Sequence, residues 1–360
     1  MLIQLAATGI LVALLPLTIV WASKDTDKYR KLVWITVFLT FDLIMFGAFT
    51  RLTDSGLGCP DWPGCYGQAN PFQAHADISA AEAAMPTGPV TVIKAWIEMI
   101  HRYFAMGIGM LIISLMVIAW RKHLKPASRS VKFSPVFPTM LFGFVCLQGA
   151  FGAWTVTMKL QPVIVTIHLL LGMILLALLT WFGARQSEHP PISSPAAALR
   201  LPSILAAMLL TIQIALGGWV STNYAALACT DFPLCNGALF PDMDFANGFT
   251  IWRDLGMTAR GEYIPFSALT AIHWTHRIFA FIAAATVAWV AFRAMKIEGL
   301  HKTARWLLIV IAVQLTTGIS NIFLALPLAL AVIHNGGAAL LTLLMTLLIY
   351  KIRLAPRNTP

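Results

Sequence analysis

Nine runs of apolar residues, each about 20 residues long, constrain this chain more than any other feature. A helix needs about 20 such residues to cross the hydrocarbon core of a membrane. Hydrophobic residues make up 58% of the 360-residue chain and charged residues only 11%, whereas soluble domains carry about 25% charged residues. The sequence therefore predicts an all-α polytopic membrane protein with spans near 2–22, 32–50, 96–120, 136–157, 163–184, 201–221, 267–293, 304–325 and 328–350.

The basic residues predict the orientation of these spans. A formal net charge of +10 would also suit a nucleic-acid-binding protein. However, 18 of the 25 Lys and Arg residues fall in alternate loops, around 24–31, 121–132, 185–200, 293–305 and 351–357. The positive-inside rule places those loops in the cytoplasm. We therefore expect a cytoplasmic C-terminus, an external N-terminus, long external loops at about 51–95 and 222–266, and no nucleic-acid partner.

The first run, 2–22, has two interpretations. It could be a cleaved signal peptide, or it could be an additional membrane helix that the mature protein keeps. Its leading residues Met1-Leu2-Ile3-Gln4 lack the basic region of a signal peptide, and no clear A-x-A cleavage site follows. The sequence favours the additional helix.

The external loops contain a repeated cysteine motif. Gly47-Ala48-Phe49 and Gly217-Gly218-Trp219 close two corresponding spans, and each is followed by Cys-x5-Cys. Cysteine, aspartate, aromatic, proline and cysteine recur in the same order in Cys59-Pro60-Asp61-Trp62-Pro63-Gly64-Cys65 and Cys229-Thr230-Asp231-Phe232-Pro233-Leu234-Cys235. Such an ordered match indicates an internal duplication.

The spans after each loop repeat as well. A His-Arg pair follows each loop, and later a glutamine precedes a histidine by 20 residues in both copies. In the first copy these residues are His101-Arg102, Gln148 and His168. In the second copy they are His276-Arg277, Gln314 and His334. We predict two pseudo-symmetric four-helix bundles related by an axis along the membrane normal. Their predicted bounds are 32–184 and 201–350, with an N-terminal segment 1–31, a cytoplasmic linker 185–200 and a cytoplasmic tail 351–360.

Five of the nine histidines fall within predicted spans: His101, His168, His273, His276 and His334. Ionisable groups inside a membrane are costly and indicate function by default. Each half offers two histidines at similar depth on different helices, His101 with His168 and His276 with His334. A single intramembrane histidine more often links helices by a hydrogen bond, but four at repeated positions favour pairs of haem ligands.

Glu98 distinguishes the two halves. It lies three residues before His101, so both side chains share one helix face, and the corresponding residue of the second half is His273. Glu-x-x-His also occurs in di-iron bundles, but no further glutamate lies within the predicted spans. We therefore expect a reactive site in the first half and an electron-carrying or structural site in the second. His273 itself is not assigned to iron.

Arg102 and Arg277 follow these histidines near the external boundary. Guanidinium groups there could pair with haem propionates, or could simply extend to the membrane interface. Asp42, a further carboxylate in the first span of the repeat, has no role that the sequence explains.

Four of the five cysteines form the two external Cys-x5-Cys pairs. An external location permits disulfides, and each motif can close a small ring, either as a structural bond or as a redox dithiol. Zinc is the competing interpretation, but neither loop adds a second ligand pair with standard spacing. Cys146 lies in a span and is expected to pack in the core.

The stretch Arg51-Leu52-Thr53-Asp54-Ser55-Gly56-Leu57-Gly58 leading into Cys59–Cys65, followed by Glu98-x2-His101-Arg102, resembles the haem A synthase family, in its bacterial form with cysteine pairs. The resemblance covers about 32–350. It implies oxidation of the C8 methyl of haem O to a formyl group through successive hydroxylations, giving haem A for cytochrome c oxidase. It implies His101 and His168 at the substrate haem with Glu98 as the essential carboxylate, His276 and His334 as axial ligands of haem b, and Cys59 and Cys65 as a functional disulfide.

The resemblance also implies a location and partners. We expect a multi-pass protein of the bacterial inner membrane, with lipid around it, the cysteine loops on the periplasmic side, and haem O synthase and cytochrome c oxidase assembly factors as candidate partners. A homo-oligomer stays open. Two other functions fit parts of the sequence: a di-haem electron-transfer cytochrome, which leaves Glu98 unexplained, and a periplasmic thiol–disulfide oxidoreductase, which leaves the intramembrane histidines unexplained. A solute transporter fits parallel repeats, but broken mid-membrane helices are not evident.

Overall fold

The fold is described from a computed structural model, for residues 1–125 and 133–356. Arg129, Lys132 and Arg357, three of the basic residues used to orient the spans, lie outside the described residues, as does the tail from 357 to 360. Within the described ranges all regular secondary structure is helical, apart from isolated β-bridges in the two long loops that contain the cysteine pairs.

The helices begin and end close to the limits of the apolar runs. They are α1 Leu2–Ala22, α2 Lys28–Leu52, α3 His75–Ala84, α4 Val92–His123, α5 Val136–Thr157, α6 Pro162–Gln186, α7 Arg200–Thr222, α8 Phe245–Gly248, α9 Phe266–Ala294, α10 His301–Phe323 and α11 Leu328–Arg353, with short 3₁₀ helices at Ser194–Leu199 and Ala225–Leu227. In the part of the chain that is described, nine of them are long and apolar enough to cross a membrane. The prediction of an all-α polytopic membrane protein is confirmed.

Many large apolar side chains of these helices point outward. Leu11 of α1, Phe38 of α2 and Phe292 of α9 are 65%, 61% and 58% exposed. A soluble protein would not leave so much apolar surface in water, whereas in a membrane this surface contacts lipid. The helices thus bury only one side against their neighbours.

The described chain groups into two compact units, Met1–Leu160 with Ile174–Ser187, and Gln161–Met173 with Glu188–Pro360. Helix α6 contributes to both. In the first unit α1 and α2 pack on α4, and in the second α7 packs on α9 while α10 packs on α11.

Backbone conformation repeats along with the sequence motifs. Asp54 and Tyr224, which occupy the same position after α2 and α7, both have a positive φ, at 51° and 54°. The pairs Lys159-Leu160 and Ala325-Leu326, which follow α5 and α10, also share this left-handed conformation. Non-glycine residues seldom adopt it, so its recurrence at matched positions is a strong sign of duplication.

The first segment forms a helix that packs within the first unit. Gly107 of α4 lies so close to α1 that a Cβ atom there would come within 2.6 Å of the Val12 side chain. At the start of α1, Leu5 is buried in a cluster with Cys59, Cys65 and Met99. The N-terminal end of α1 therefore lies on the same side of this unit as its cysteine loop.

Candidate functional site

Each cysteine pair closes a ring of seven residues. The sulfur atoms lie 2.06 Å apart in Cys59–Cys65, the first ring, and 2.00 Å apart in Cys229–Cys235, the second ring. All four cysteines are at most 2% exposed. Cys146 is the free cysteine of the described part of the chain, and it is exposed on α5 rather than packed in the core as expected from the sequence.

A two-residue turn follows each ring. The backbone groups of Cys65 and Gln68 hydrogen-bond to each other in both directions, and Cys235 and Ala238 do the same. The residues between them, Tyr66-Gly67 and Asn236-Gly237, all have positive φ values. Positive φ at both central positions is the geometry of a type I′ turn, for which Asn-Gly is the preferred sequence.

The aspartate of each ring stabilises this turn. Asp61 accepts hydrogen bonds from the backbone nitrogens of Tyr66 and Gly67, at 2.6 and 2.7 Å. Asp231 accepts from the nitrogens of Asn236 and Gly237, at 2.5 and 2.9 Å. The backbone N–H of Gly237, followed by that of Asn236, holds the pKa of the Asp231 carboxyl below its usual value.

Arg102 links the first ring to α4 through hydrogen bonds. Its Nη1 donates to the backbone oxygens of Asp61, Pro63 and Gly64, at 3.0, 3.3 and 2.5 Å. Its Nη2 donates to Oε1 of Glu98 at 2.5 Å, one helical turn away. One guanidinium therefore binds the ring carbonyls and also compensates a buried carboxylate.

Glu98 also contacts the first ring directly, through the backbone of Cys59. Its Oε2 accepts the backbone N–H of Cys59 at 2.8 Å, and its side chain is 5% exposed. Both carboxylate oxygens thus have a donor, which a charge withdrawn from water requires. The sequence singled out Glu98 and Arg102 separately, and the structure brings them together with the first cysteine.

The second half repeats this arrangement with one exchange. The backbone N–H of Cys229 donates to Nδ1 of His273 at 3.2 Å. Nη2 of Arg277 donates to the oxygens of Asp231 and Leu234, at 2.7 and 3.1 Å, and the guanidinium lies over the Phe232 ring. His273, which the sequence left without a role, occupies the place of Glu98 as the acceptor for the ring. Within the described residues, Nη1 of Arg277 is buried and has no hydrogen-bond partner.

His276 and His334 have matching environments in the second unit. A Cβ atom at Gly217 would lie 3.0 Å from Cε1 of His276, and one at Gly318 would lie 3.0 Å from Cε1 of His334. Both histidines are partly exposed residues. Each ring thus packs closely against the backbone of the neighbouring helix at a glycine.

Polar side chains contact both imidazoles. Nε2 of Gln213 lies 3.0 Å from Nδ1 of His276. Oγ1 of Thr317 lies 3.0 Å from Nδ1 of His334, and Nε2 of Gln314 lies 3.3 Å from Nε2 of the same ring. The side-chain oxygens of both glutamines are buried and have no partner among the described residues. Neither Gln213 nor Thr317 stands out in the sequence as a candidate site residue.

His101 is seated in the same way in the first unit. A Cβ atom at Gly47 would lie 3.0 Å from its Nε2, and its ring stacks on Phe46 with centroids 6.2 Å apart. His168 belongs to the part of α6 that groups with the second unit, so its pairing with His101 stays a prediction. Asp42 lies in α2, partly exposed, and its role stays unexplained.

The donor set suits haem better than a bare metal ion. Among residues 1–125 and 133–356, no three His, Cys, Asp or Glu side chains converge as ligands for one ion. A di-iron site needs several carboxylates, whereas haem iron takes one or two axial ligands because the porphyrin supplies the others. Histidines that are partly exposed and pack against glycine, such as His276 and His334, could supply these axial ligands.

Comparison with known proteins agrees with this geometry. The family model COX15-CtaA, described as cytochrome oxidase assembly protein, matches residues 30–346. The chain belongs to this family. The family resemblance drawn from the cysteine loop and the His-Arg motifs is thereby confirmed.

Individual relatives extend over nearly the whole chain. A protein named heme A synthase from Shewanella oneidensis is 40% identical over 326 residues, which are 89% of this chain and 96% of the relative. Heme A synthases from Rhodopseudomonas palustris and Rhizorhabdus wittichii are 28% and 27% identical, over 91% and 85% of this chain and 94% and 89% of their own lengths. The similarity thus includes the loops and both repeats.

Proposed function

We propose that this protein is a haem A synthase, an oxidoreductase that converts the C8 methyl of haem O into a formyl group through successive hydroxylations. Membership of the COX15-CtaA family and 40% identity to a heme A synthase support this function. The haem A produced would serve cytochrome c oxidase.

One observation supports the proposal above the others. Both halves fasten a cysteine ring to a helix through an arginine and one acceptor, but the acceptor is a carboxylate only in the first half. Two structural sites of equal role would not need this difference. A buried carboxylate beside only one of the histidine positions is what an enzyme with one reactive site and one electron-carrying site requires.

The first half is the proposed catalytic half. Turning a methyl into a formyl group is a four-electron oxidation, so protons must also leave the carbon, and a group that accepts them is needed nearby. Glu98 lies one turn before His101 on α4 and is already oriented by Arg102 and the Cys59 amide. His101 and His168 are the residues proposed at the iron of the substrate haem, as the family resemblance implies.

The second half is the proposed haem b half, with His276 and His334 as axial ligands. Three features of this unit support that assignment: both imidazoles pack against a glycine, both histidines are partly exposed, and the side-chain oxygens of the two adjacent glutamines have no partner among the described residues. When bound, haem b supplies a one-electron centre through which electrons can leave the reactive site.

The two arginines differ in what they offer to a haem propionate. Arg102 already donates to Glu98 and to three ring carbonyls. Among the described residues Arg277 forms no salt bridge, although the Asp231 carboxylate lies near enough to attract it, and its Nη1 has no hydrogen-bond partner. Arg277 is therefore the better candidate for a propionate, and Arg102 acts chiefly by holding Glu98 and the first ring in place.

We propose an inner-membrane location with both rings on the periplasmic side and a cytoplasmic C-terminus. The distribution of Lys and Arg supports this orientation. Haem O is the proposed substrate. Haem O synthase and cytochrome c oxidase assembly factors are the proposed protein partners.

The alternative functions have less support. A periplasmic thiol–disulfide oxidoreductase needs an accessible sulfur for attack by a thiolate, and the sulfurs of both rings belong to residues that are at most 2% exposed. A di-haem electron carrier would use both histidine pairs but would not need Glu98 to differ from His273.

The test is haem extraction from membranes of cells that express the protein and are supplied with haem O, with identification by mass. Wild-type protein is expected to yield haem A. Glu98→Gln, which keeps an acceptor for the Cys59 amide, is expected to retain the haem b spectrum and to yield no haem A. Normal haem A in this variant would refute the catalytic role of Glu98.

The haem b assignment has its own test. His276→Ala and His334→Ala are each expected to lose the low-spin haem b spectrum, and His273→Ala is the matched control because it removes a nearby imidazole that is not assigned to iron. An unchanged spectrum in both ligand variants would contradict the pairing.

A further inference from the structure

Helix α1 lies outside the part of the chain that matches the COX15-CtaA family model, residues 30–346. Its buried residues form one stripe, spaced three or four residues apart: Leu5, Gly9, Ala13, Pro16 and Val20. Residues at this spacing share one face of a helix, and α1 packs on α4. Helix α1 is therefore an addition to the family fold that contacts the helix carrying Glu98 and His101.

Two glycines bring α1 and α4 close together. A Cβ atom at Gly9 of α1 would lie 3.1 Å from Cβ of Met106, and one at Gly107 of α4 would lie 2.6 Å from Cγ1 of Val12. Small residues at an interface let the backbones of two membrane helices approach closely. A larger side chain at Gly9 would therefore push α1 away from α4.

The start of α1 covers part of the first ring. A Cβ atom at Gly64, inside the ring, would lie 2.7 Å from Sδ of Met1. Leu5 is 3% exposed and belongs to the same buried cluster as Cys59 and Cys65. Reaching this disulfide from outside therefore requires the start of α1 to move.

The corresponding face of α9 in the second unit is open. By the spacing of the repeat, Met106 and Gly107 correspond to Phe281 and Ile282. These two side chains are 47% and 48% exposed in the part of the chain that the structure describes. Their size would also prevent the close approach that Gly107 allows. The second ring therefore has no counterpart of α1 beside it.

The exposure of the two rings differs accordingly at four matched positions. In the first ring and the turn after it, these residues are buried or partly buried: Pro63, Gly64, Tyr66 and Ala69. Their counterparts are all exposed: Pro233, Leu234, Asn236 and Leu239. The ring aromatic shows the reverse, since Trp62 is 47% exposed while Phe232 packs on Phe281 with centroids 6.4 Å apart. The difference is largest between Ala69, at 4%, and Leu239, at 58%.

From this asymmetry we propose that α1 seals the first ring. Cys59–Cys65 is then a structural bond that resists thiol reductants, and Cys229–Cys235 is the pair that external thiols reduce first. The seal also protects the Cys59 amide, which donates to Glu98 at 2.8 Å.

The physical reason is the cost of local opening. A reducing thiolate must reach one sulfur, with which it forms a mixed disulfide while the other sulfur leaves as a thiolate; a second thiol then completes the reduction. All four cysteines are at most 2% exposed, so each pair reacts only after its surroundings open. Opening the second ring displaces exposed loop residues, whereas opening the first ring must also displace Leu5 from its buried cluster.

The experiment measures the reduction of each ring in the full-length protein. The free thiol of Cys146 is first blocked with N-ethylmaleimide. Dithiothreitol is then added, and the new thiols are labelled at timed intervals with a second maleimide and assigned by peptide mass. In wild type the initial rate is expected to be higher for Cys229–Cys235 than for Cys59–Cys65.

Variants of α1 test whether that helix is the cause. Leu5→Ala is expected to speed reduction of the first ring about tenfold or more, because truncating a buried leucine removes enough packing energy for such a factor. Gly9→Leu, which displaces α1 but keeps Leu5, is expected to act in the same direction. Leu11→Ala is the matched control, since Leu11 is 65% exposed on the same helix. The rate of the second ring should stay unchanged in all three variants.

The outcomes are distinct from those of the proposed function. Equal rates for the two rings in wild type would overturn the inference, and so would a first-ring rate that is the same in Leu5→Ala, Gly9→Leu and Leu11→Ala. An intact mass that lacks residues 1–22 would overturn it as well, because such a protein has no α1. If the α1 variants do not fold, the two rates in wild type decide. The measurement needs neither haem nor substrate, so a failure to form haem A would leave its result unchanged.

Discussion

Adding one methyl group at Gly217 or Gly318 is expected to expel haem b. The new Cβ atom would lie 3.0 Å from Cε1 of His276 or His334, whereas carbon atoms in ordinary contact lie about 3.5–4.0 Å apart. Each imidazole must therefore move by a few tenths of an ångström. Overpacking of this kind costs about 1–3 kcal/mol, and alanine returns about 1 kcal/mol of helix propensity. The fold should therefore survive, with a net cost of at most about 2 kcal/mol.

The assay compares haem b content per protein and the low-spin spectrum of purified variants. Gly217→Ala and Gly318→Ala are expected to lose most of the haem, because the ligand atom is displaced although the helix remains. Gly143→Ala on α5 is the control: a Cβ atom there meets nothing within 4 Å, so haem content should be unchanged. If both Gly217→Ala and Gly318→Ala keep the haem b content and spectrum of the wild type, the reasoning from this close contact is refuted.

The same substitution in the first half should have a different consequence. At Gly47 the added Cβ atom would lie 3.0 Å from Nε2 of His101, the nitrogen through which an imidazole commonly binds metal. Gly47→Ala is therefore expected to stop haem A formation while haem b content and spectrum stay unchanged. Loss of haem b in this variant would mean that the two sites are not separate.

Three further predictions concern the rings. Leu5→Ala should destabilise the first unit by about 2–5 kcal/mol in thermal unfolding, because Leu5 is 3% exposed beside the first ring, whereas Leu11→Ala, at a position 65% exposed, should have little effect. Arg102→Lys should speed hydrogen exchange of the Cys59 amide, since a single ammonium group cannot serve Glu98 and three carbonyls together; unchanged exchange would contradict the role of the guanidinium. The pKa of Asp231 is lowered in the folded protein. The stability that its carboxylate gives to the second ring is therefore fully present above the ordinary carboxyl pKa, and is lost as pH falls through the lowered pKa of the folded state. The protection of the turn amides of the second ring, taken relative to the intrinsic exchange rate at each pH, should fall in that acidic range, and Asp231→Asn should remove this change in protection.

The spans could be predicted because membrane insertion depends on a local property. A run of about 20 apolar residues is sufficient for a helix in lipid, where every backbone group must be bonded internally. The predicted spans 136–157 and 328–350 accordingly agree with Val136–Thr157 and Leu328–Arg353 within a few residues. Helix α4 begins earlier than predicted, at Val92, because Thr91 caps it by accepting the N–H of Lys94.

The rings could be predicted only in part. Cys-x5-Cys identified the pairs, but the spacing could not show that Asp61 and Asp231 serve the following turns or that Arg102 binds ring carbonyls, because those partners depend on where the loop folds back. One available signal was missed: Asn236-Gly237 is the strongest short sequence for a two-residue turn. That dipeptide places a turn directly after the second ring.

The polar neighbours of the imidazoles could not be predicted from the pattern. Thr317 hydrogen-bonds to Gln314 within its own helix, as threonines in helices commonly do. Its contact with His334 on the next helix appears only when α10 and α11 are packed together. The same is true of Gln213, whose partner is 63 residues away.

The exchange of Glu98 for His273 has a consequence for how such a protein can evolve. Carboxylate and imidazole both accept the same amide hydrogen of a ring cysteine, so the exchange leaves the loop intact while it removes a negative charge. Under the proposed roles of the two halves, one copy could therefore abandon chemistry after duplication and specialise in carrying electrons without first acquiring a new fold.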